Sequence, residues 1–217
     1  MIVLIDNGHG YDTAGKCSPD KKYKEYKYAR LVANMIRYNL VQKGINARQI
    51  VTESIDIPLQ ERCNRVNKIC DAVGKENVLL VSIHSNAAGA GQWMNARGWS
   101  AYTTPGKTAS DSLAEKLYAS AEKHLAKYAQ TFTEADKKRG QKSLRKDLTD
   151  GDSDMESNFY ILKHTKCAAV LTENLFHDNK DDVAFLDSKE GFDAIVALHV
   201  DGIMDYINGK RESYCSS

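Results

Sequence analysis

Short apolar runs alternate with segments of helical spacing along most of the chain. The runs end in polar or glycine residues, which is typical of strands buried inside a layered fold. We predict strands in residues 1–6, 46–52, 78–83, 98–104 and 168–172. Between them we predict helices in residues 23–43, 58–73, 110–128 and 191–207. This alternation predicts an α/β fold, a twisted and mostly parallel sheet flanked by helices.

The second predicted helix has a clear apolar stripe. Leu59, Val66, Ile69 and Val73 recur at helical spacing, so we assign them to its inner face. Four further positions concern histidines: His177 lies close in sequence to Glu173, and both side chains could reach one cleft. We expect His124, His164 and His199 on the surface, because they lie in or beside predicted helices.

Residues 130–157 interrupt the pattern. They are polar and charged and have no clean period, so we predict a long surface insertion with room for one short helix. Segment 137–146 carries six positive charges, and an acidic stretch, 147–156, follows it. A solvated loop explains both, and a wall of a substrate site is the functional alternative. We find no linker, so residues 1–217 are expected to form a single domain.

Composition and charge exclude several classes of protein. The net charge is +1, which is not the broad positive field of a nucleic-acid-binding protein. The five cysteines are odd in number and include no Cys-x-x-Cys pair, which argues against a disulfide framework or a thiolate metal site. We see no apolar run of about 18 residues and no secretory leader, so we expect no membrane insertion.

Polar side chains suited to metal chemistry follow three predicted strands. His9 follows the first strand between two glycines, His84 ends the apolar run 78–83, and Glu173 follows the run 168–172. Ligands of open α/β sheets gather beyond the carboxyl ends of strands, so we expect these side chains to converge. Two histidines, a carboxylate and one open position are typical of a catalytic zinc site.

Each of these residues also has a simpler explanation. A turn between glycines explains His9, and a hydrogen-bonded buried imidazole explains His84. The third zinc ligand must come from elsewhere in the chain. Glu25 begins the first predicted helix, but a glutamate there is also favoured by the helix dipole alone. Glu53 and Glu61 are the alternatives for this ligand.

Five motifs resemble those of the zinc-dependent N-acetylmuramoyl-L-alanine amidases of the type 3 family. The most specific is Val-Ser-Ile-His-Ser-Asn-Ala at residues 81–87. The others are the loop Asp-Asn-Gly-His-Gly at 6–10, the helix start at Glu25, Leu-x-x-Arg at 59–62, and Glu-x-x-Phe-x-x-Asn at 173–179. Together they extend over nearly the whole chain. Asn7 stands where the family has proline, which changes the stiffness of the loop and leaves His9 in place.

The resemblance implies a phosphorylase/hydrolase-like fold and a function. His9, Glu25 and His84 would bind Zn2+, and Glu173 would be the catalytic carboxylate. The protein would be a peptidoglycan hydrolase that cleaves the amide bond between N-acetylmuramic acid and L-alanine with zinc-activated water. Beside that site, Asn86 is a candidate for substrate contact, and Arg145 could clamp a carboxylate of the muropeptide substrate.

Two other functions are compatible with the same residues. A zinc peptidase acting on another cell-wall peptide bond would use the same site chemistry. An inactive wall-binding module would keep the fold without catalysis. The resemblance is to phage endolysins in particular, so we expect synthesis in the bacterial cytoplasm and action on the cell wall after release or export. We expect a monomer and no nucleic-acid partner.

Overall fold

A six-stranded sheet runs through the molecule. The computed structural model describes residues 1–215, without the side chains of 211 and 213–215. The strands are β1 (Ile2–Asn7), β2 (Asn46–Gln49), β3 (Val78–Asn86), β4 (Ser100–Thr103), β5 (Met155–Glu156) and β6 (Ala168–Phe176). Their order across the sheet is β2-β1-β3-β6-β4-β5. The pairing of β4 with β6 is antiparallel and the other pairs are parallel, which confirms the predicted mostly parallel sheet.

The helices connect these strands and cover the sheet. They are α1 (Glu25–Gln42), α2 (Leu59–Val73), α3 (Ala109–His124), α4 (Ala126–Ala129), α5 (Glu134–Lys138), α6 (Tyr160–Lys163), α7 (Lys180–Asp187) and α8 (Lys189–Cys215). Among the described residues, none of these helices is long and apolar enough to cross a membrane.

Both faces of the sheet are covered by a hydrophobic core. Val3, Val81 and Val170 pack on one face, beneath α1, α3 and α8. Neighbouring residues of the same strands, Leu4, Leu80 and Leu171, pack on the other face beneath α2 and α6. Since alternate side chains of a strand point to opposite faces, a sheet covered on both sides needs continuous apolar runs. This is the physical origin of the runs in the sequence.

The assignment of the inner face of α2 is partly wrong. Leu59 is 50% exposed and Val73 is 40% exposed, whereas Arg62 and Cys63 are buried beside Val66. The apolar stripe assigns only hydrophobic residues to the buried face. It could not show that α2 is rotated so that a charged residue points inward. Arg62 can turn inward because its guanidinium finds a buried acidic partner, Asp6.

The placement of His199 on the surface is also wrong. His199 is fully buried in α8, and its Nε2 is 2.9 Å from the hydroxyl of Thr172 on the sheet. Its Nδ1 is 2.7 Å from the carbonyl oxygen of Ile195, so the ring has a partner at each nitrogen. Helix α8 is covered by α1 and α3 as well as by the sheet, and even a polar position on it is therefore enclosed.

The polar segment 130–157 is anchored to the rest of the fold. It contains α5 and β5, and its first part surrounds the buried guanidinium of Arg97. Arg97 donates hydrogen bonds to Thr131 at 2.9 Å, to Asp136 at 3.4 Å and to Asp182 of α7 at 3.0 Å. The segment is therefore more ordered by tertiary contacts than its lack of periodicity suggested.

The cysteines that the structure describes form no disulfide. Cys17, Cys63, Cys70 and Cys167 are all free. The side chain of Cys215 and residues 216–217 of the predicted domain lie outside the described part of the chain.

Candidate active site

The carboxyl ends of β1, β3 and β6 meet at one edge of the sheet. The register pairs Asn7 of β1 with Ile83 of β3, and it pairs His84 of β3 with Glu173 of β6. His9 follows β1 by two residues. Glu25 reaches the same edge as the first residue of α1. The structure therefore brings together all four residues that the sequence marked as metal ligands or catalytic carboxylate.

His9, Glu25 and His84 form a compact group of candidate metal ligands. One ligand atom from each residue lies within 4.8 Å of the others. Oε1 of Glu25 is 3.3 Å from Nε2 of His9 and 3.1 Å from Nδ1 of His84. The two imidazole rings meet edge to face, with centroids 4.9 Å apart. Both imidazoles therefore converge on the same carboxylate oxygen.

The backbone around His9 is fitted closely to this arrangement. A Cβ at Gly8 would lie 2.3 Å from Cε1 of His84, so only glycine allows the loop to pass the imidazole ring. His9 itself has a φ of 63°, in the left-handed region that side chains with a Cβ seldom adopt. Such backbone conformations persist where the surroundings enforce them, and they are frequent at functional sites.

The carboxylate of Glu25 is buried and ionised. Its side chain is 1% exposed, and the backbone N–H of Ser85 donates to Oε1 at 3.1 Å. Burial works to raise the pKa of Glu25, but hydrogen bonds with His84 and His9 outweigh it and hold the pKa well below its usual range. Oε2 of Glu25 is buried without a hydrogen-bond partner. A buried anionic oxygen without a donor is unfavourable, so this donor set fits a bound cation.

Glu173 lies beside this group in a different electrostatic environment. Burial raises the pKa of Glu173 to about 7, although the neighbouring His84 acts to lower it. Oε2 of Glu173 has no hydrogen-bond partner, and neither has Oγ of Ser100, its register partner on β4. A carboxyl group with a pKa near neutrality can both accept and return a proton under physiological conditions.

Arg62 and Asp6 support the strand ends from below. Nη1 of Arg62 donates to Oδ1 of Asp6 at 2.6 Å and to the carbonyl oxygen of Asn7 at 2.8 Å. The hydroxyl of Ser82 donates to the other oxygen of Asp6 at 2.6 Å. Asp6 therefore joins β1 to β3 directly beneath His9 and His84, without a hydrogen bond to either imidazole.

Arg30 fixes the loop that carries His9. Its Nη1 donates to the carbonyl oxygen of His9 at 2.8 Å, and its Nη2 donates to the carbonyl oxygen of Glu53 at 2.7 Å. No sequence pattern indicated this role, because an arginine within a helix is usually a surface charge. Arg62 was part of the Leu-x-x-Arg motif, but the motif did not identify its partner.

His177 completes the wall of the site beside Glu25. It is 3% exposed, and its Nδ1, which has no hydrogen-bond partner, is 3.6 Å from Oε2 of Glu25. Burial lowers the pKa of His177, which favours the neutral ring. Its ring stacks on Tyr23 at 6.5 Å between centroids, and the hydroxyl of Tyr23 is 2.6 Å from that of Ser85.

The remaining candidates occupy two different positions. Asn86 ends β3, and its side chain accepts a hydrogen bond from the N–H of Ala87 at 2.8 Å. Arg145 lies with its guanidinium 5.3 Å from the ring of Phe176, the last residue of β6. By contrast, the carboxylates of Glu53 and Glu61 both pair with Arg65 of α2, and neither belongs to the group of candidate ligands. Neither of them is therefore available to complete the His9–His84 pair.

Comparison with known proteins identifies the family. The sequence profile of the N-acetylmuramoyl-L-alanine amidase family matches residues 3–205. The endolysin of Bacillus phage SPP1 is 28% identical over 219 aligned residues, which cover 98% of this chain and 68% of that protein.

Solved structures share the fold. An N-acetylmuramoyl-L-alanine amidase from Clostridium difficile 630 matches with a TM-score of 0.74 and 22% identity, over 96% of this chain and 97% of that one. The catalytic domain of the amidase CwlV from Bacillus (Paenibacillus) polymyxa var. colistinus matches with a TM-score of 0.71 and 20% identity, over 95% and 98% of the two chains. The resemblance found in the sequence motifs is confirmed by the profile match, and the chain belongs to the N-acetylmuramoyl-L-alanine amidase family.

Proposed function

We propose that this protein is a peptidoglycan hydrolase that cleaves the amide bond between N-acetylmuramic acid and L-alanine, with zinc held by His9, Glu25 and His84. The observation that carries the proposal is the convergence of both imidazoles on one oxygen of the buried Glu25 carboxylate. Family membership supports the substrate class. We further propose that residues 1–217 form one catalytic domain, in which 130–157 is an insertion.

The donor set suits zinc better than a harder cation. Zinc accepts imidazole nitrogens together with a carboxylate, and three protein ligands leave a position open to water or substrate. Magnesium and calcium prefer oxygen ligands throughout. When bound, zinc would polarise the scissile carbonyl and lower the pKa of a water molecule to about 7.

Glu173 would move the protons of the reaction. Its Oε2 has no hydrogen-bond partner among the residues that the structure describes, so it is free to take a proton from the attacking water. The same carboxyl would return that proton to the nitrogen of L-alanine as the amide C–N bond breaks. A pKa of about 7 suits both halves of this transfer, because neither protonation state is strongly disfavoured at neutral pH.

Asn86 and Arg145 are proposed to contact the substrate. Asn86 follows His84 by two residues at the end of β3. The Arg145 guanidinium lies against Phe176, three residues beyond Glu173, with a buried Nε that has no hydrogen-bond partner. A guanidinium can bind a carboxylate through two parallel hydrogen bonds, and muropeptides carry carboxylates.

Product analysis tests the bond that is cleaved. The protein is incubated with purified muropeptides, and the fragments are identified by mass spectrometry. Release of the lactyl sugar together with an intact peptide that begins with L-alanine supports an amidase. Shortened peptides would instead show a zinc peptidase, the alternative that the same site chemistry allows.

A matched pair of variants tests the role of Glu173. We expect Glu173→Gln to lose about 10²–10⁴-fold in activity, the usual contribution of general acid–base catalysis, while it retains zinc. Glu61→Gln removes an exposed carboxylate of the same type and should leave activity unchanged. Equal wall lysis by Glu173→Gln and the unmodified protein would remove the catalytic assignment. Binding of the unmodified protein to cell walls without any lysis would instead show an inactive wall-binding module.

A further inference from the structure

Strand β6 carries one extra residue directly after Glu173. His84 of β3 pairs with Glu173, and the next pair in the ladder joins Asn86 to Phe176. Two steps along β3 therefore match three steps along β6, which is a β-bulge. Leu175, within this bulge, has a φ of 63°, a left-handed conformation that a residue with a Cβ keeps only where its surroundings enforce it. Bulges beside active sites change the direction in which a side chain points.

Asn174 occupies the bulge and is fully buried. Its Nδ2 donates to the carbonyl oxygen of His84 at 3.0 Å and to the hydroxyl of Thr172 at 3.1 Å. Its Oδ1 accepts a hydrogen bond from the indole N–H of Trp99 at 2.9 Å. Because an indole only donates and a carbonyl oxygen only accepts, these partners fix the orientation of the amide. One side chain therefore joins β6 to β3, and to the residue before β4, where the regular pairing is interrupted.

The carboxylate of Glu173 is not anchored at the oxygen assigned to proton transfer. Its Oε2 is buried and has no hydrogen-bond partner among the residues that the structure describes. The carboxylate of Glu25, by contrast, accepts a hydrogen bond from the backbone N–H of Ser85 at 3.1 Å. The direction of the Glu173 side chain therefore depends on the backbone of β6 at the bulge.

We propose that Asn174 is a positioning residue that aims the carboxyl group of Glu173. The inference rests on the proposed function, in which Glu173 moves the protons. Strand β3 lies inside the sheet, between β1 and β6, so the backbone of His84 is a firm point of attachment. By holding the bulge to that point, the amide of Asn174 sets the position of the carboxyl group relative to a proposed zinc ligand.

Asn174→Leu removes all three hydrogen bonds and nearly keeps the size of the side chain. We expect kcat to fall about 10²-fold, the cost of moving a reacting group by about 1 Å, while KM changes little. Zinc affinity, measured by competition with a chelator, should also change little, because His9, Glu25 and His84 lie on other elements.

Asn67→Leu is the matched control, the same substitution at another bridging asparagine. The amide of Asn67 donates to the carbonyl oxygen of His164 at 2.8 Å and accepts from the backbone N–H of Lys166 at 2.9 Å. These contacts precede the start of β6, whereas Glu173 lies toward its carboxyl end. Asn67→Leu should therefore leave kcat unchanged.

The Glu173→Gln background separates positioning from a general loss of stability. If Asn174 acts through Glu173, Asn174→Leu should cost no further activity once the carboxyl group has been replaced. An equal fold-loss in both backgrounds would show a merely structural role and overturn the proposal. An unchanged kcat in Asn174→Leu alone would overturn it as well.

Two further measurements cover failure to fold and absence of activity. If Asn174→Leu does not fold, Thr172→Val removes one of its hydrogen bonds, and kcat should be about threefold or more below that of Thr172→Ser, which keeps the hydroxyl. Equal kcat in these two variants would contradict the proposal. If the unmodified protein cleaves no amide bond, the proposed function fails, and crystal structures of the variant and unmodified chains decide. A displaced Glu173 carboxyl supports positioning, and an unmoved one overturns it.

Discussion

Nη1 of Arg62 lies 2.6 Å from Oδ1 of Asp6, and the side chains are only 2% and 1% exposed. This buried ion pair crosses from α2 to the end of β1. It also reaches β3 through the hydroxyl of Ser82, which donates to the same carboxylate. The strand ends that carry His9 and His84 are therefore tied together by a charged contact rather than by the hydrophobic core.

Removing Arg62 should destabilise the fold. Arg62→Met leaves the carboxylate of Asp6 buried without its cation, and we expect a loss of about 3–5 kcal/mol in the free energy of unfolding. Urea denaturation followed by circular dichroism measures it. Arg65→Met is the matched control on the same helix: its ion pairs with Glu53 and Glu61 are exposed, so its loss should be below about 1 kcal/mol. Similar losses in the two variants would contradict this role for the Asp6–Arg62 pair.

Glu173 should titrate near neutral pH in the zinc-free protein. Burial raises its pKa to about 7, so the group is mostly protonated below that pH. Carboxyl 13C chemical shifts measure the titration, and the resonance that disappears in Glu173→Gln assigns it. Zinc binding should lower the pKa, because a nearby positive charge favours the carboxylate. A pKa in the ordinary range for glutamate in the zinc-free protein would contradict the proposed environment.

His199 should make stability depend on pH. Burial lowers its pKa to about 4, below the unfolded value of 6.5, so the unfolded chain binds more protons between these two values. The contribution of the neutral imidazole to the free energy of unfolding is complete above about pH 6.5. It is lost as pH falls toward 4, and the total loss is on the order of 3 kcal/mol.

The raised pKa of Glu173 changes stability with pH in the opposite direction. The contribution of His199 is therefore measured as a difference between variants. Unfolding free energies of His199→Gln and the unmodified chain are compared at pH 7 and at pH 5. Their difference should shrink at the lower pH. His164→Gln makes the same substitution at an exposed histidine and is measured in parallel as the control for the substitution itself. A constant difference for His199→Gln would show that its imidazole is not held neutral.

His177 should strengthen metal binding through Glu25. Its Nδ1 faces the oxygen of Glu25 that has no other partner, at 3.6 Å. Replacing it by leucine removes a polar group that orients a proposed ligand, and we expect zinc affinity to fall about tenfold or more. Competition with a chelator measures the affinity without reference to activity. His164→Leu should bind zinc as the unmodified chain does, and equal affinity in His177→Leu would refute the positioning role.

The central strands were predictable because of their surroundings. β1, β3 and β6 lie in the middle of the sheet, both of their faces are covered, and their sequences are therefore continuously apolar. β5, at the sheet edge, has only two residues, Met155 and Glu156, which are too few to show a period. Edge strands gain less from burial, so their residues are less constrained.

Some residues of the candidate site could be predicted from the local sequence, and others could not. His9 and His84 follow apolar strands, and the topology of parallel sheets alone brings such residues together. Glu25 required the family resemblance, because a glutamate in a first helical turn is already explained by the helix dipole. Its burial arises from the packing of α1 against the loop around His9, which no local pattern encodes. Arg30 and Arg62 act through backbone carbonyls and a buried aspartate, contacts that depend on the completed fold.

The three proposed ligands come from separate stretches of chain: a loop after β1, the first turn of α1 and the end of β3. No two of them are close enough in sequence to chelate an ion before the chain folds. Under the proposed assignment, metal uptake would follow the pairing of β1 with β3 and the docking of α1, and it would report that these steps are complete. Because the proposed ion would bind the native state, it would also withdraw molecules from the unfolded population, which would slow their degradation by proteases.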